Sequence, residues 1–299
     1  MTFDYARYLA AKTTVDDRAL NRHVLAGLRR LVPASAPRVL EVGAGLGTMM
    51  ARLVDWGVIG AGEYILLDAD RQLLDRSRRW LCDWAAARGL RSDLLPDGLQ
   101  VADVRVRLVH AELGGYLEAA HGELADVLIA NAVLDLVDVP AVLPGLLRLL
   151  VPGGAYWFTI NYDGESIFVP GHPHDDQVMQ AYHRDMDERV RYGRPAGDSR
   201  TGRRLFGYLR EAGAPALAAG SSDWVVSAGP DGNYPDDEAY FVRCILNTIQ
   251  NALRSREDRG DGLEPADLAD WLAVRGRQLA AGELVYLAHQ LDFTGRAPG

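Results

Sequence analysis

Residues 38–52, RVLEVGAGLGTMMAR, constrain this chain more than any other stretch. Val39, Leu40 and Val42 form an apolar run short enough for a buried strand. Gly43, Gly45 and Gly47 then turn the backbone, and 48–54 reads as the start of a helix. A strand that turns through glycines into a helix offers free N–H groups to an anionic or polar ligand. The glycines let that ligand approach the main chain closely. The same turn can also do no more than join a strand to a helix. Spacing bears on the ligand. A dinucleotide fingerprint requires G-x-G-x-x-G, whereas this run is Glu41-x-Gly43-x-Gly45-x-Gly47, with an acidic residue two positions before the first glycine. A second apolar strand at 63–67 ends in Asp68-Ala69-Asp70, and Asp68 lies 21 residues beyond Gly47. A carboxylate there can accept hydrogen bonds from both hydroxyls of a ribose. The competing role is to cap the helix at 71–88, which suits Asp70 better than Asp68.

The next segments continue an alternating plan. Residues 89–103 read as a polar loop, 104–109 as a third strand and 125–130 as a fourth. The fourth runs into Asn131-Ala-Val-Leu-Asp135, a helix follows at 142–150, and Pro152-Gly153-Gly154 leads into a fifth strand at 155–160. Proline stops the helix and the glycines permit the tight reversal into the sheet. In order and spacing, the loop, Asp68, the Asn131 strand end and the Pro-Gly-Gly turn resemble the class I (Rossmann-like) S-adenosylmethionine-dependent methyltransferases. The resemblance covers about residues 33–160.

That resemblance implies an α/β fold: a Rossmann-like seven-stranded mostly parallel sheet with helices on both faces, plus N-terminal helices and helical lid insertions. It implies S-adenosyl-L-methionine as cofactor, held by Glu41, Gly43, Ala44, Gly45, Gly47, Asp68, Ala69, Glu112 and Asn131. Glu112 stands where the family commonly receives the adenine amino group, although the family's preceding glycine is Ala111 here. Asn131 matches the strand end that borders the methionine part. Asp135 stands where the family often has a residue facing the substrate.

Two helices are expected over 3–32, with Phe3, Tyr5, Tyr8 and Leu9 near helical spacing and Leu20, Val24, Leu25 and Leu28 more clearly so. By the resemblance they fold over the cofactor and substrate, which makes Tyr8, Lys12, Arg18 and Asn21 lid candidates. Beyond the fifth strand, Asn161-Tyr162-Asp163 opens a long irregular stretch, and a helix is expected over 177–193. Ligands of open α/β sheets sit at the carboxyl ends of the strands, so this segment should border the acceptor. Helix 201–212, a strand-like segment 215–228 and a return strand 283–291 complete the core, with two amphipathic helices, 236–254 and 265–280, inserted between. That insertion should pack as a helical cap or as a dimer surface. The expected organisation is a helical lid (1–32), a cofactor-binding core (33–160), a lid insertion (161–200), more core (201–228), a helical insertion (229–282) and a last strand with tail (283–299).

Methyl transfer from a sulfonium needs alignment and exclusion of water. A base is needed only where the acceptor must lose a proton. Base candidates by position are Asp135, His172, His174 and Asp223. Substrate-side candidates are Tyr8, Arg18, Asp135, Asn161, Tyr162, Phe168 and Trp224, while His289 on the last strand suits a structural hydrogen bond. The run HPHDD with His172 and His174 has no helical ligand pair, so no metal is expected.

Composition narrows the partners. A net charge of −9 over 299 residues argues against nucleic acid, whose phosphates need a basic surface. No apolar run is long enough for a membrane span, and the first residues lack a signal-peptide layout. The two cysteines, Cys82 and Cys244, are far apart and suit free thiols in a reducing, cytoplasmic setting. The expected activity is O- or N-methylation of a small molecule. A protein methyltransferase with an open acidic groove is one alternative, and a non-catalytic cofactor-binding partner protein with an occluded acceptor site is the other. A nicotinamide oxidoreductase would need G-x-G-x-x-G, which this glycine run does not supply, together with a second catalytic set.

Overall fold

The structure is a computed structural model that describes residues 4–119, 123–191, 193–254 and 263–299. Phe3 and the stretch 255–262 between the two insertion helices lie outside them. Three short helices open the chain, α1 (Tyr5–Ala11), α2 (Thr13–Ala19) and α3 (Arg22–Leu31), where two were expected. The breaks fall at Lys12 and at Asn21, whose side chain caps α3 by accepting from His23 and Val24 N–H.

The core then alternates: β1 (Arg38–Val42), α4 (Thr48–Asp55), β2 (Ala61–Asp68), α5 (Arg71–Ala87), β3 (Ser92–Leu95), β4 (Gly98–Val101), β5 (Asp103–His110), α6 (Leu113–Ala119), β6 (Ala125–Asn131), α7 (Val139–Leu147) and β7 (Leu150–Val169). The second half adds α8 (Asp175–Asp187), the two-stranded pair β8 (Val190–Arg191) and β9 (Arg194–Pro195), α9 (Thr201–Glu211), β10 (Ala216–Ser221), β11 (Trp224–Val226), α10 (Glu238–Arg254), α11 (Pro265–Ala280) and β12 (Val285–Arg296). The helix expected over 177–193 therefore begins earlier and gives way to β8.

One main sheet runs in the order β10-β12-β7-β6-β1-β2-β5-β4-β3, with β11 also paired to β12. Strands β5, β2, β1, β6 and β7 are parallel, and β12 lies antiparallel between β7 and β10. This is a mostly parallel Rossmann-like α/β sheet with a reversed strand near one edge. The parallel strands are buried on both faces, which is why β1 and β6 read as continuous apolar runs.

The strand-like segment 215–228 is split into β10 and β11, and two further segments depart from the sequence reading. Residues 89–103 hold the antiparallel hairpin β3–β4, which widens the sheet beyond seven strands, and Pro96-Asp97-Gly98 forms its turn. Asn161-Tyr162-Asp163 is not irregular either. β7 runs on to Val169 because β12 pairs with it along that length, from Arg296 opposite Ala155 to Val285 opposite Val169. The Pro152-Gly153-Gly154 turn lies inside β7 as an irregularity in its pairing with β6.

Helix α3 packs on β12 and β10, and Gly27 lets it come close: a Cβ there would meet Thr294 Cγ2 at 2.9 Å. The insertion helices α10 and α11 pack on each other, and α10 touches α1 and α8. Ile245, Thr248 and Ile249 of α10 line the cavity at the end of the sheet where β1, β2 and β6 finish.

Candidate functional site

The turn after β1 is shaped by its neighbours. Gly43 has φ +64° and Gly45 φ +56°. A Cβ on Gly43 would lie 2.5 Å from Val133 Cγ2, and one on Gly45 would lie 2.8 Å from Leu9 Cδ1. Both need glycine for conformation and for room. Ala44 N–H donates to Leu67 O at 3.1 Å, which ties the turn to the end of β2. The Asp68 carboxylate accepts from Gly45 N–H at 2.7 Å through Oδ2 and from Asp70 N–H at 2.8 Å through Oδ1. Burial raises the Asp68 pKa against the pull of those two N–H groups. Asp70 caps α5 by accepting from Gln72 and Leu73 N–H, which leaves Asp68 to face the space above the turn.

That space is a cavity of about 980 Å³ at the carboxyl ends of the strands. Glu41, Gly43, Ala44, Gly45, Asp68, Ala69, Glu112 and Asn131 all stand in its wall. Gly47 does not; with φ +77° it is the residue from which α4 starts. Asn131 Oδ1 accepts from Thr159 Oγ1 at 2.9 Å, and Glu112 reaches Arg191 at 3.3 Å on the rim. Glu41 is fully inside, with Tyr64 Oη–H donating to it at 2.9 Å. Burial pushes its pKa up to about 8.

Of the substrate-side candidates, Tyr8, Asp135, Tyr162 and Trp224 line the cavity. Arg18, Asn161 and Phe168 do not. Arg18 pairs with the fully buried Glu238 at 2.6 Å and so ties α2 to α10. Asn161 is buried in β7 and donates to Leu291 O at 2.8 Å. Phe168 packs edge-on to Trp271 and beside Tyr286.

Three of the four base candidates are likewise elsewhere. His172 and His174 are drawn to α11 by Asp270 (3.3 Å) and Asp267 (3.6 Å). Asp223 accepts from Ser221 Oγ–H at 2.7 Å, faces His289 Nδ1 at 2.8 Å and accepts from Gln290 N–H. Asp135 alone of the four is in the wall, and burial pushes its pKa up to about 6. Its Oδ1 is shielded from solvent and accepts no hydrogen bond.

The structure adds residues that the sequence reading left out. Tyr182 from α8, with Tyr286 and Gln290 from β12, joins Tyr8, Tyr162 and Trp224 in the wall, so that aromatic rings from five elements meet there. Alternation along β12 was the available signal, since 286 and 290 fall on one face. Tyr162 Oη lies 2.7 Å from His183 Nε2 and 3.2 Å from Ser166 Oγ, which is 3.4 Å from Tyr286 Oη. Lys12 pairs with Asp16 at 3.4 Å and sits over the Trp224 ring at 5.3 Å, while Trp224 Nε1–H donates to Asp16 at 2.9 Å. Arg52 bonds to Asp17 and lies 3.5 Å from Asp16. Among the described residues no group of three or more His, Cys, Asp and Glu could hold a metal, and no helix is long and apolar enough to cross a membrane.

A scan against protein-family models and a search of curated proteins find no match to this chain. Among solved structures, the chain is similar to an S-adenosylmethionine-dependent methyltransferase from Thiobacillus denitrificans in complex with S-adenosyl-L-homocysteine. The identity is 16%, the match covers 99% of this chain and 100% of that one, and the TM-score is 0.47. It is similar to a cyclopropane synthase from Mycobacterium tuberculosis at 11% identity, over 92% of this chain and 82% of that one, with a TM-score of 0.45. It is also similar to a phosphoethanolamine N-methyltransferase from Haemonchus contortus at 11% identity, over 100% of this chain and 61% of that one, with a TM-score of 0.46. The fold assignment rests on the strand order and directions given above.

Proposed function

We propose that this protein is an S-adenosyl-L-methionine-dependent methyltransferase that methylates oxygen or nitrogen of a small-molecule acceptor. The observation that carries the reading is the meeting, in one cavity, of a glycine turn, a carboxylate beside it and a wall of aromatic rings. The turn lies close under Val133 and Leu9 because Gly43 and Gly45 lack side chains, which keeps its main chain on the cavity. Asp68 has both oxygens anchored by main-chain N–H groups, yet each keeps a lone pair for a ribose hydroxyl. Asn131 and the main chain at Gly43 would flank the methionine part and Glu112 the adenine. The cofactor, when bound, supplies a methyl group already activated on a positive sulfur.

The chain's own residues then have three tasks. Asp68 and the turn orient one partner, the rings of Tyr8, Tyr162, Tyr182, Trp224 and Tyr286 confine the other, and Asp135 takes the proton that the acceptor must give up. Confinement matters most, because an aligned in-line attack gains several kcal/mol, about 7 to 11 in favourable cases, from orientation alone. A chamber walled by five elements favours a small molecule over a protein segment, and its extent beyond the turn favours catalysis over cofactor binding alone. Free Cys82 and Cys244 agree with a cytoplasmic setting.

Calorimetric titration with S-adenosyl-L-homocysteine tests the reading. We expect micromolar binding to wild type and a loss of at least about tenfold in Asp68→Ala, the scale of a lost hydrogen bond to a charged group. A folded wild type that does not bind would overturn the proposal.

A further inference from the structure

Most of the charges around the aromatic wall, where Arg71 also stands, are met by ion pairs or main-chain N–H groups. Lys12 faces Asp16, Arg52 faces Asp16 and Asp17, and Arg189 bonds to Asp185 at 2.9 Å. Glu112 has Arg191, and Asp68 and Asp70 accept from main-chain N–H groups. Glu41 receives the Tyr64 hydroxyl, and a pKa of about 8 keeps it neutral at pH 7. Asp135 lies in the field of Lys12 and Arg189 but makes no ion-pair contact among the described residues, and its sheltered Oδ1 accepts nothing. A second orphan belongs to a residue of the same wall. Gln290 is only 2% exposed, and its Oε1 also lacks a donor. Unmet acceptors of this kind cost stability unless a ligand brings the missing donors.

The rings point to the same ligand chemistry. Faces of Tyr and Trp attract cations, and this wall already carries one, since the Lys12 ammonium lies 5.3 Å from the centre of the Trp224 ring. Tyr162, Tyr182 and Tyr286 add further rings to the same wall.

We infer that the acceptor is an amine, bound as its ammonium cation between the Asp135 carboxylate and the tyrosine-lined wall, with Gln290 Oε1 accepting from a further N–H or O–H of the same molecule. This inference rests on the methyltransferase reading for its chemistry. The ammonium gives one proton to Asp135. The freed lone pair forms the N–C bond as the C–S bond breaks, and the bonding pair stays on sulfur as a thioether. The product is a methylammonium, and the proton passes from Asp135 to solvent. A carboxylate whose burial raises its pKa to about 6 is suited to both holding and returning that proton.

The test is equilibrium binding of three matched probes, 2-phenylethylamine, 2-phenylethanol and phenylacetate, with and without saturating S-adenosyl-L-homocysteine. The expected order is amine first by at least about tenfold, then alcohol, with the acid weakest. Asp135→Asn should lower amine affinity about tenfold and leave the alcohol within about twofold, with its fold checked by thermal melting. An alcohol or acid that binds as well as the amine, an amine indifferent to Asp135→Asn, or a chamber that takes none of the three would overturn the inference. The wild-type order decides the matter even if the variant does not fold. Absence of S-adenosyl-L-homocysteine binding is a separate failure, one that strikes the methyltransferase reading and leaves the probe order to be read without it.

Discussion

Glu41 illustrates what one buried carboxyl does to the whole protein. It sits at the end of β1 with 2% exposure, and its folded-state pKa is about 8 against an ordinary 4.5. Between those values the folded state binds a proton that the unfolded chain releases, so stability falls as pH rises. The contribution is fully present below about 4.5 and is lost as pH passes about 8. Asp135 and Asp292, both raised to about 6 by burial, add to the same decline at its lower end. Urea unfolding across pH 5 to 9 should show the decline, and Glu41→Gln should flatten its upper part, above pH 6. A Glu41→Gln profile parallel to wild type would show that this carboxyl titrates alike in both states. The residues readable in sequence were those whose reasons are local. Gly43 and Gly45 are dictated by the turn itself, and Asp68 by the strand that leads to it. His172 and His174 were misread because the carboxylates that draw them away, Asp267 and Asp270, come from a helix remote in sequence.

Among the elements, the N-terminal helices are held by salt links to α10. Arg18 belongs to this framework, clamping the buried Glu238 with two hydrogen bonds while Thr14 Oγ1–H supplies a third. Removal of Arg18 would leave an anion with fully buried side chain short of a partner. For fully buried pairs such losses run to about 3–5 kcal/mol. The Arg18 side chain is 48% exposed, so solvent screening lowers the expected cost of Arg18→Ala to about 2 kcal/mol. In Arg18→Ala combined with Glu238→Gln much of that loss should return, and a double variant no more stable than the single one would refute the account. Element boundaries followed the same rule of locality as the residues. The β3–β4 hairpin carries its own turn signal in Pro96-Asp97-Gly98, yet its strands are only four residues each and Leu94 is exposed, so no apolar run marked them. The length of β7 depends on β12, more than 100 residues later, and nothing local marks it.

For the molecule as a whole, the sheet sets the floor of the cavity and elements from both chain ends close over it. The mostly parallel order was legible because each β-α repeat announces itself. The acceptor chamber was not, because Tyr8, Tyr162, Tyr182, Trp224 and Tyr286 become neighbours only once α1, β7, α8, β11 and β12 are assembled. Leu9 of α1 touches the space above Gly45, so a ligand on the turn should steady this cover. Hydrogen exchange read by mass spectrometry should slow across residues 4–20 when S-adenosyl-L-homocysteine is added, with little change in the β3–β4 hairpin. Equal exchange with and without it would mean that the N-terminal helices take no part in holding the ligand.

The placement of Lys12 has a practical consequence. It is the one side-chain primary amine in 299 residues, and it is 5% exposed inside the cavity wall. An acylating reagent that marks the surface lysines of an ordinary protein finds none here, and can reach Lys12 only while the roof of the cavity is lifted. The pace at which that single nitrogen is labelled is therefore a clock for the breathing of the chamber, supplied by the chain itself without any engineered tag.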